Sequence, residues 1–154
     1  MAKNSGFTFD VKVKINKSNK IIKDHGLDSN GKVSEFFRDE IDRLMGPFVP
    51  GGTGGELEKL KSYPKKTQIK YTSPYAHYQY KGDEYISPKL GVSGILLKKY
   101  DRWWSPKGEK KKKTNKKLTY HTAGTGPKWD KLMLKKHKKK IIKDVQNYIN
   151  NGGK

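Results

Sequence analysis

Apolar and polar residues alternate without a break from Phe7 to Asn16, the apolar ones being Phe7, Phe9, Val11, Val13 and Ile15. A period of two is typical of a β-strand that buries one of its faces. The pattern therefore predicts a strand over 7–16, with an apolar face that the rest of the domain, or a neighbour, must cover.

The spacing of the apolar residues changes after Lys32, because Val33, Phe37, Ile41 and Leu44 recur at helical intervals. Acidic residues and arginines fill most of the other positions up to Met45. Ser34 is a candidate N-cap, although Asn30 or Lys32 could also mark the start. We expect the helix to end at Gly46-Pro47, because proline lacks the amide and restricts the residue before it.

A longer helix is predicted over 129–150. Its apolar residues recur mostly at intervals of three and four, and they are Trp129, Leu132, Met133, Ile141, Val145, Tyr148 and Ile149. Pro127 suits the first turn of such a helix. The middle of the segment, Lys135 to Lys140, is almost entirely basic. The helix is therefore predicted to be amphipathic, and several of its lysines cannot lie under the apolar stripe.

Shorter elements are predicted between the two helices. They are a glycine-rich turn (Val49 to Gly55), a strand with Ile69 and Tyr71 on one face (Lys65 to Thr72), a strand or helical turn (Tyr75 to Tyr80) and a further strand candidate (Val92 to Tyr100). Together the elements predict an α+β fold: a small antiparallel sheet with one helix before it and a long basic helix at the C-terminus.

Composition and charge restrict the possible partners. The chain has 154 residues, which suits one domain over 1–154, and 32% of them are hydrophobic. Its 35 lysines and arginines exceed its 15 acidic residues, and the net charge of +20 favours nucleic acid, an acidic protein surface or an anionic membrane. The absence of cysteine excludes disulfides and thiolate metal sites. No segment resembles a signal peptide or a bilayer span of ~18 apolar residues, so we expect a soluble protein that is not secreted.

The lysines fall into two clusters. Lys107 to Lys117 is a low-complexity run without an apolar residue, and we expect a flexible, exposed basic loop at about 105–117. On the last helix, the candidate DNA-facing residues are Lys135, Lys136, Lys139 and Lys140. Lysine attracts phosphate without reading sequence, and neither cluster is interleaved with stacking aromatics. A solvated basic face and a contact with a polyanion are both open interpretations.

Five aromatic residues are candidates for a subunit interface, namely Tyr75, Tyr78, Tyr80, Trp103 and Trp104. Aromatic side chains are common in sheets and cores, and also in interfaces. Because the chain has few aliphatic residues, we expect it to use some of the five for internal packing and some for an interface.

No arrangement of residues favours catalysis. The four histidines, His25, His77, His121 and His137, are scattered, and no cluster has the spacing of a zinc site. Gly51 to Gly55 is followed by Glu56-Leu57 rather than by the Gly-Lys-Ser/Thr of a phosphate-binding loop. We therefore expect no enzyme activity, no metal and no cofactor.

Several motifs follow one another in the order found in one family. They are Gly31-Lys32-Val33 at a helix start, Val49-Pro50-Gly51-Gly52-Thr53-Gly54 with Leu57, Pro74-Tyr75-Ala76 through Tyr80 to Gly82, and Gly126-Pro127-Lys128-Trp129 before a basic helix containing Ile141-Ile142. The chain resembles the minor capsid, or head-tail connector, proteins of phages with long non-contractile tails, and shares motifs with tail-completion proteins. Two features depart from the family pattern: Gly55 interrupts the second motif, and residues 84–117 match no part of it.

The resemblance implies a structural protein of the virion. Such proteins form a ring between portal and tail, and the genome passes through its lumen. The implied partners are further copies of the chain in a homo-oligomeric ring, neighbouring portal, adaptor, stopper or tail proteins, and double-stranded genomic DNA bound non-specifically; no membrane is implied. The implied location is the head-tail junction, after assembly in the host cytoplasm. The alternative function is that of a non-specific nucleic-acid-binding module.

Overall fold

The central sheet contains the two strands with the clearest alternation. In the computed structural model, which describes residues 7–11, 24, 26–52, 54–100 and 102–153 (without the side chains of 102 and 103), β1 (Phe7–Asp10) and the short β2 (Lys61–Ser62) both pair antiparallel with β3 (Gln68–Tyr71). Ile69 and Tyr71 are fully buried, which confirms their predicted face. The predicted strand over 7–16 is confirmed for Phe7–Asp10, and residues 12–16 lie outside the described residues.

Helices and two further small sheets complete the described part of the chain. Its helices are α1 (Lys32–Met45), α2 (Glu56–Lys59), α3 (Ala76–Lys81) and α4 (Trp129–Asn150), and short 3-10 turns cover Gly46–Phe48 and Lys98–Tyr100. The two-stranded sheets join β4 (Asp83–Ile86) to β7 (Lys112–Lys117), and β5 (Ile95–Leu97) to β6 (Arg102–Trp104). The predicted α+β class is confirmed. The strand predicted over 92–100 is shorter, because only Ile95–Leu97 forms a strand there. The segment over 75–80, predicted as a strand or a helical turn, lies almost entirely in the helix α3.

The start of α1 is fixed by a close backbone approach. Gly31 occupies the N-cap position, and a Cβ there would lie 2.0 Å from the carbonyl oxygen of Gly26, so only glycine fits. Ser34 is buried inside the helix instead, where its hydroxyl donates to the carbonyl of Leu27 at 3.2 Å. Ser34 is therefore not the N-cap. The predicted end of the helix at Gly46-Pro47 is confirmed.

The core lies where α4 meets the central sheet. Trp129, the first residue of α4, is fully buried, and its ring centroid lies 5.0 Å from that of Tyr80, 5.5 Å from Tyr71 and 5.7 Å from Phe7. The remaining core residues are Leu44, Met45, Val49, Leu57, Ile69, Ala76, Met133 and Ile141. The helix predicted over 129–150 is confirmed with those bounds. Its buried residues determine which of its other side chains face outward.

A cluster of charged groups joins α1, α2 and β2. The ammonium of Lys61 lies 2.7 Å from Asp42 Oδ1 and 2.8 Å from Glu58 Oε2, and all three side chains are largely buried. Burial acts to lower the pKa of Lys61, but the hydrogen bonds to Asp42 and Glu58 outweigh it and raise the pKa above its ordinary value. Tyr63 donates to Asp42 Oδ2 at 2.7 Å. The charges of Lys61, Asp42 and Glu58 are therefore paired with one another inside the fold.

The lysine run differs from its prediction in its second half. Residues 107–111 form turns and irregular structure, as expected, but Lys112–Lys117 is strand β7, which pairs with β4. The physical reason is Asp83, which lies opposite Lys117 and accepts hydrogen bonds from Lys113, at 2.6 Å, and from Lys117. The prediction of a loop is therefore wrong for 112–117, whereas mobility of the run in solution stays a prediction.

Candidate nucleic-acid interface

Helix α4 has one face fixed in the core and one face turned outward. Trp129, Met133 and Ile141 are buried, and Val145 packs partly against the same core. On the side away from Trp129 and Met133, a 3.6-residue period brings together four exposed lysines, which are Lys131, Lys135, Lys138 and Lys139. We call these four residues the lysine face. The exposed side chain of Ile142 lies among them.

The lysine face has no internal counter-ion in the described part of the chain, since none of its four ammonium groups forms an ion pair there. Lys136, at the border of this face, places its ammonium 5.9 Å from the centroid of the Phe48 ring. A cation near an aromatic ring remains charged and available to a second partner. The predicted DNA-facing residues Lys135, Lys136 and Lys139 are therefore exposed and uncompensated.

Lys140 differs from the other predicted residues because its charge is engaged. Its ammonium forms an ion pair with Asp144 one turn further along α4, and lies 3.8 Å from Glu40 of α1. The hydrogen bond from Lys140 is the main cause of the lowered pKa of Asp144. Lys140 therefore connects the two long helices, and its charge is less available to an anionic partner than the charges of the lysine face.

The second lysine cluster, Lys107 to Lys117, also contains both paired and unpaired lysines. Lys113 and Lys117 hold Asp83 ionised, and their hydrogen bonds lower the pKa of Asp83 to about 2. Lys111 pairs with Glu109 at 2.7 Å. Lys107, Lys110, Lys112 and Lys116 are exposed, and no described acidic side chain pairs with them. This segment therefore presents further uncompensated positive charge.

The charge of the chain is concentrated in its last third. Residues 105–154 contain 16 lysines and three acidic residues, Glu109, Asp130 and Asp144. All three acidic side chains have partners inside the protein, namely Lys111, the hydroxyl of Tyr80 and Lys140. Outside this region, Asp83 pairs with Lys113 and Lys117, and Glu40 lies near Lys140. The rest of the surplus charge of this region is left for counter-ions or an anionic partner to balance.

The five candidate interface aromatics divide between core and surface. Tyr80 packs against Phe7 and Trp129, and its hydroxyl donates to Asp130 Oδ1 at 2.9 Å; burial, and then this bond, raise its pKa to about 12. Tyr78 is half-buried beside Tyr85. Tyr75 and Trp104 are exposed. Trp103 lies in β6, and its side chain is outside the described residues. Tyr75 and Trp104 thus remain available for an interface.

The described residues contain no cluster of three metal-ligating side chains. His77 sits on α3, where burial and then the nearby Lys81 lower its pKa, and His137 packs edge-on against Phe48. His121 is exposed, and His25 lies outside the described residues. The histidines that can be described are therefore not gathered into one site.

Within the described residues, none of the helices combines the length and the apolar character that a bilayer crossing requires. Comparison of the chain with family models, curated proteins and solved structures finds no significant match. The lysine face is thus the feature of the described structure that most restricts the kind of partner.

Two residues of the lysine face, Lys131 and Lys138, do not belong to the predicted set. They lie one helical turn before and one turn after Lys135, and projection of residues 129–150 onto a helix would have placed all three on the same side. The engagement of Lys140 with Glu40 could not be found in this way, because it depends on how α1 packs against α4.

Proposed function

We propose that the protein is a structural subunit of the neck of a tailed phage, one copy in an oligomeric ring through which genomic DNA passes. The observation that carries the proposal is the lysine face, whose ammonium groups have no internal counter-ion while the opposite stripe of α4 is fixed in the core. The order of the motifs from Gly31 to Trp129, which resembles that of head-tail connector proteins, provides independent support.

The chemistry of the lysine face suits the wall of a channel through which DNA passes. Lysine contacts phosphate through a flexible side chain and does not read base edges, so DNA in any sequence register meets the same attraction. A rigid 22-residue helix, about 33 Å long at 1.5 Å per residue, would hold these charges along one line. The proposed partners are other copies of this chain, the neighbouring portal, adaptor, stopper or tail proteins, and double-stranded DNA.

The role of the lysine face is tested by removing its charge without disturbing the core. The variant combines Lys135→Gln, Lys138→Gln and Lys139→Gln. The matched control combines Lys59→Gln, Lys65→Gln and Lys81→Gln, three exposed lysines outside α4. Both variants lose three charges, and exposed changes of this kind cost within ~0.5 kcal/mol of stability. Only the first is expected to impair retention or delivery of DNA by assembled particles.

Two measurements decide the outcome. Particles with the lysine-face variant should form in normal number but lose or fail to eject their genome, whereas particles with the control should behave as wild type. Normal DNA retention and ejection with the first variant would leave the lysines as a solvated face. Electron microscopy of purified virions should place the chain at the head-tail junction, and its absence from the neck would refute the location.

A second function, that of a non-specific nucleic-acid-binding module, is supported by the same lysines. In that case the free monomer should bind duplex DNA of any sequence. The slope of log affinity against log salt should fall in magnitude by about 0.9 for each contacting lysine that is replaced. Tight binding by the monomer, together with absence of the chain from virions, would favour this function over the neck.

A further inference from the structure

Residues 87–111 leave the body of the protein and return to it at a single place. Ile86 of β4 lies opposite Lys112 of β7 in the register, so the two ends of this segment are neighbours. Between them, β5 and β6 pair only with each other in the described structure. We call residues 88–108 the arm. Because its two ends lie side by side, the arm can change its position without separating β4 from β7.

The arm contributes nothing to the hydrophobic core. None of its described residues is buried, and every residue of the core lies outside it. Its apolar residues Ile95, Leu96 and Trp104 are between 41% and 44% exposed. Local opening costs little free energy where few apolar groups are buried. Displacement of the arm should therefore cost less free energy than opening of the central sheet or of α4.

The base of the arm is more ordered than the arm itself. Ser87 is fully buried, and its amide donates to the carbonyl of Val92 at 2.9 Å. Its carbonyl accepts hydrogen bonds from the amides of Leu90, at 3.2 Å, and Gly91, at 2.8 Å. These bonds fix the direction in which the chain leaves β4, so the first turn of the arm has a defined conformation.

One ion pair closes the base from the other end of the arm. The side chain of Glu109 is 8% exposed, and its Oε1 accepts a hydrogen bond at 2.7 Å from Lys111, whose side chain is 15% exposed. This hydrogen bond, and then the nearby hydroxyl of Ser87, lower the pKa of Glu109. The ionised carboxylate therefore connects the end of the arm to its beginning. We call Glu109 and Lys111 the latch.

The closed latch also carries an unfavourable contribution. Glu109 Oε2 is buried and accepts no hydrogen bond from the described residues. A shielded carboxylate oxygen without a donor has lost its water and gained nothing in return. Opening of the base would return water to Oε2, and this gain would offset part of the loss of the ion pair. The closed position is thus held by a small difference between opposing contributions.

We propose that the arm is a hinged unit that moves between a closed and an open position, and that the pair Glu109–Lys111 is the latch that holds it closed. Opening separates Glu109 from Lys111 and from Ser87, while β4, β7 and the core remain folded. The pairing of β5 with β6 also remains, so the hairpin moves as one body. The proposal depends on the fold alone and is independent of a location in the phage neck.

The absence of cysteine allows the arm to be followed with two spin labels. Ser93→Cys places one label on the arm and Lys143→Cys places the other on α4, and both positions are exposed. A reference pair, Lys59→Cys with Lys143→Cys, reports on the body alone. Pulsed electron paramagnetic resonance of the full chain then gives the distribution of label distances. Circular dichroism and thermal unfolding would first establish that each labelled variant is folded.

The latch is tested by Glu109→Gln in the arm-labelled protein. Wild type should show one dominant distance, and the variant should raise the ratio of open to closed populations roughly tenfold, because Lys111 is left without its partner in a shielded site. The control is Glu35→Gln, which removes the same charge from an exposed ion pair with Lys66 and should leave the distribution unchanged. The reference pair should give the same distance in every protein.

Lys111→Met separates the action of a pair from that of a single residue. It leaves the carboxylate of Glu109 without its partner, so it should also open the arm. Combined with Glu109→Gln it should add less than its separate effect, because no unpaired charge is then left at the base.

Four results would overturn the proposal. A distribution for wild type as broad as that of Glu109→Gln would show that no latch exists, and an unchanged distance in Glu109→Gln would show that other contacts hold the arm. A changed distance in the reference pair would mean that Glu109 supports the whole fold. Fully additive effects of Glu109→Gln and Lys111→Met would show that the two residues do not act as a pair.

Discussion

Replacement of Trp129 by alanine should destabilise the protein more than replacement of any exposed aromatic residue. The Trp129 ring is fully buried, and it contacts the rings of Tyr80, Tyr71, Phe7 and Phe9 at centroid distances of 5.0 to 6.3 Å. Removal of a buried tryptophan typically costs about 3–5 kcal/mol. The free energy of unfolding of a domain is roughly 5–15 kcal/mol, so this single substitution should remove a large part of the stability of the protein.

The same substitution at Trp104 is the matched control, since it deletes the same atoms. Trp104 is 43% exposed, and its described strand partner is Ile95. A cross-strand pair of this kind contributes roughly 0.2–1 kcal/mol. Trp104→Ala should therefore cost about 1 kcal/mol or less, provided that it is measured at a concentration at which the wild type is monomeric.

Urea unfolding followed by circular dichroism provides the two free energies. At roughly 2–4 °C per kcal/mol for a chain of this size, Trp129→Ala should also lower the melting temperature by roughly 6–20 °C. Equal losses at the two positions, or a loss below about 1 kcal/mol at Trp129, would refute the assignment of Trp129 to the centre of the core.

Two further predictions concern the segment around β4. Asp83 has a pKa of about 2 in the folded protein against an ordinary 3.8, so its stabilising contribution is complete above the ordinary pKa and is lost as pH falls through that window towards 2. The difference in urea midpoint between wild type and Asp83→Asn should therefore shrink from pH 5 to pH 2, and a constant difference would contradict the pairing with Lys113 and Lys117. Gly82→Ala should cost at least ~1 kcal/mol more than Gly91→Ala. Both glycines have positive φ, but a Cβ at Gly82 would lie 2.7 Å from Pro127 Cβ and one at Gly91 would meet nothing within 4 Å; similar melting temperatures for the two variants would exclude this clash.

The parts of the fold that the sequence predicts well are those whose signal is local. Helix α4 was predicted with its observed bounds, because its apolar residues recur at helical spacing over six turns. Strand β3 was predicted from Ile69 and Tyr71 on one face. In each case the residues that determine the element lie within the element itself.

The parts that were missed depend on partners far away in the chain. Strand β7 has no apolar residue, and it pairs because Asp83, 34 residues before Lys117, accepts the charges of Lys113 and Lys117. Lys140 was predicted to face DNA, and its charge is engaged by Asp144, one turn along α4, and by Glu40 once α1 packs against α4; only the contact with Glu40 depends on a residue far away in the chain. Tyr80 was grouped with the interface aromatics by proximity in the sequence, whereas its ring contacts Phe7 and Trp129. The spacing of apolar residues along the chain gives no information about such contacts between distant residues.

The pairing of β4 with β7 leaves the outer edge of β7 open in the described structure. An open edge normally offers its amides and carbonyls to any passing strand, and proteins often protect it with lysine. Four of the six residues of β7 are lysines. Lys113 and Lys117 pair with Asp83, and no described acidic side chain pairs with Lys112 and Lys116, so another copy of the same strand would meet repulsion from these two lysines. Charge, rather than the geometry of the strand, therefore prevents this edge from pairing with β7 of another copy. A high local concentration of the protein therefore does not favour sheet-to-sheet aggregation through this strand.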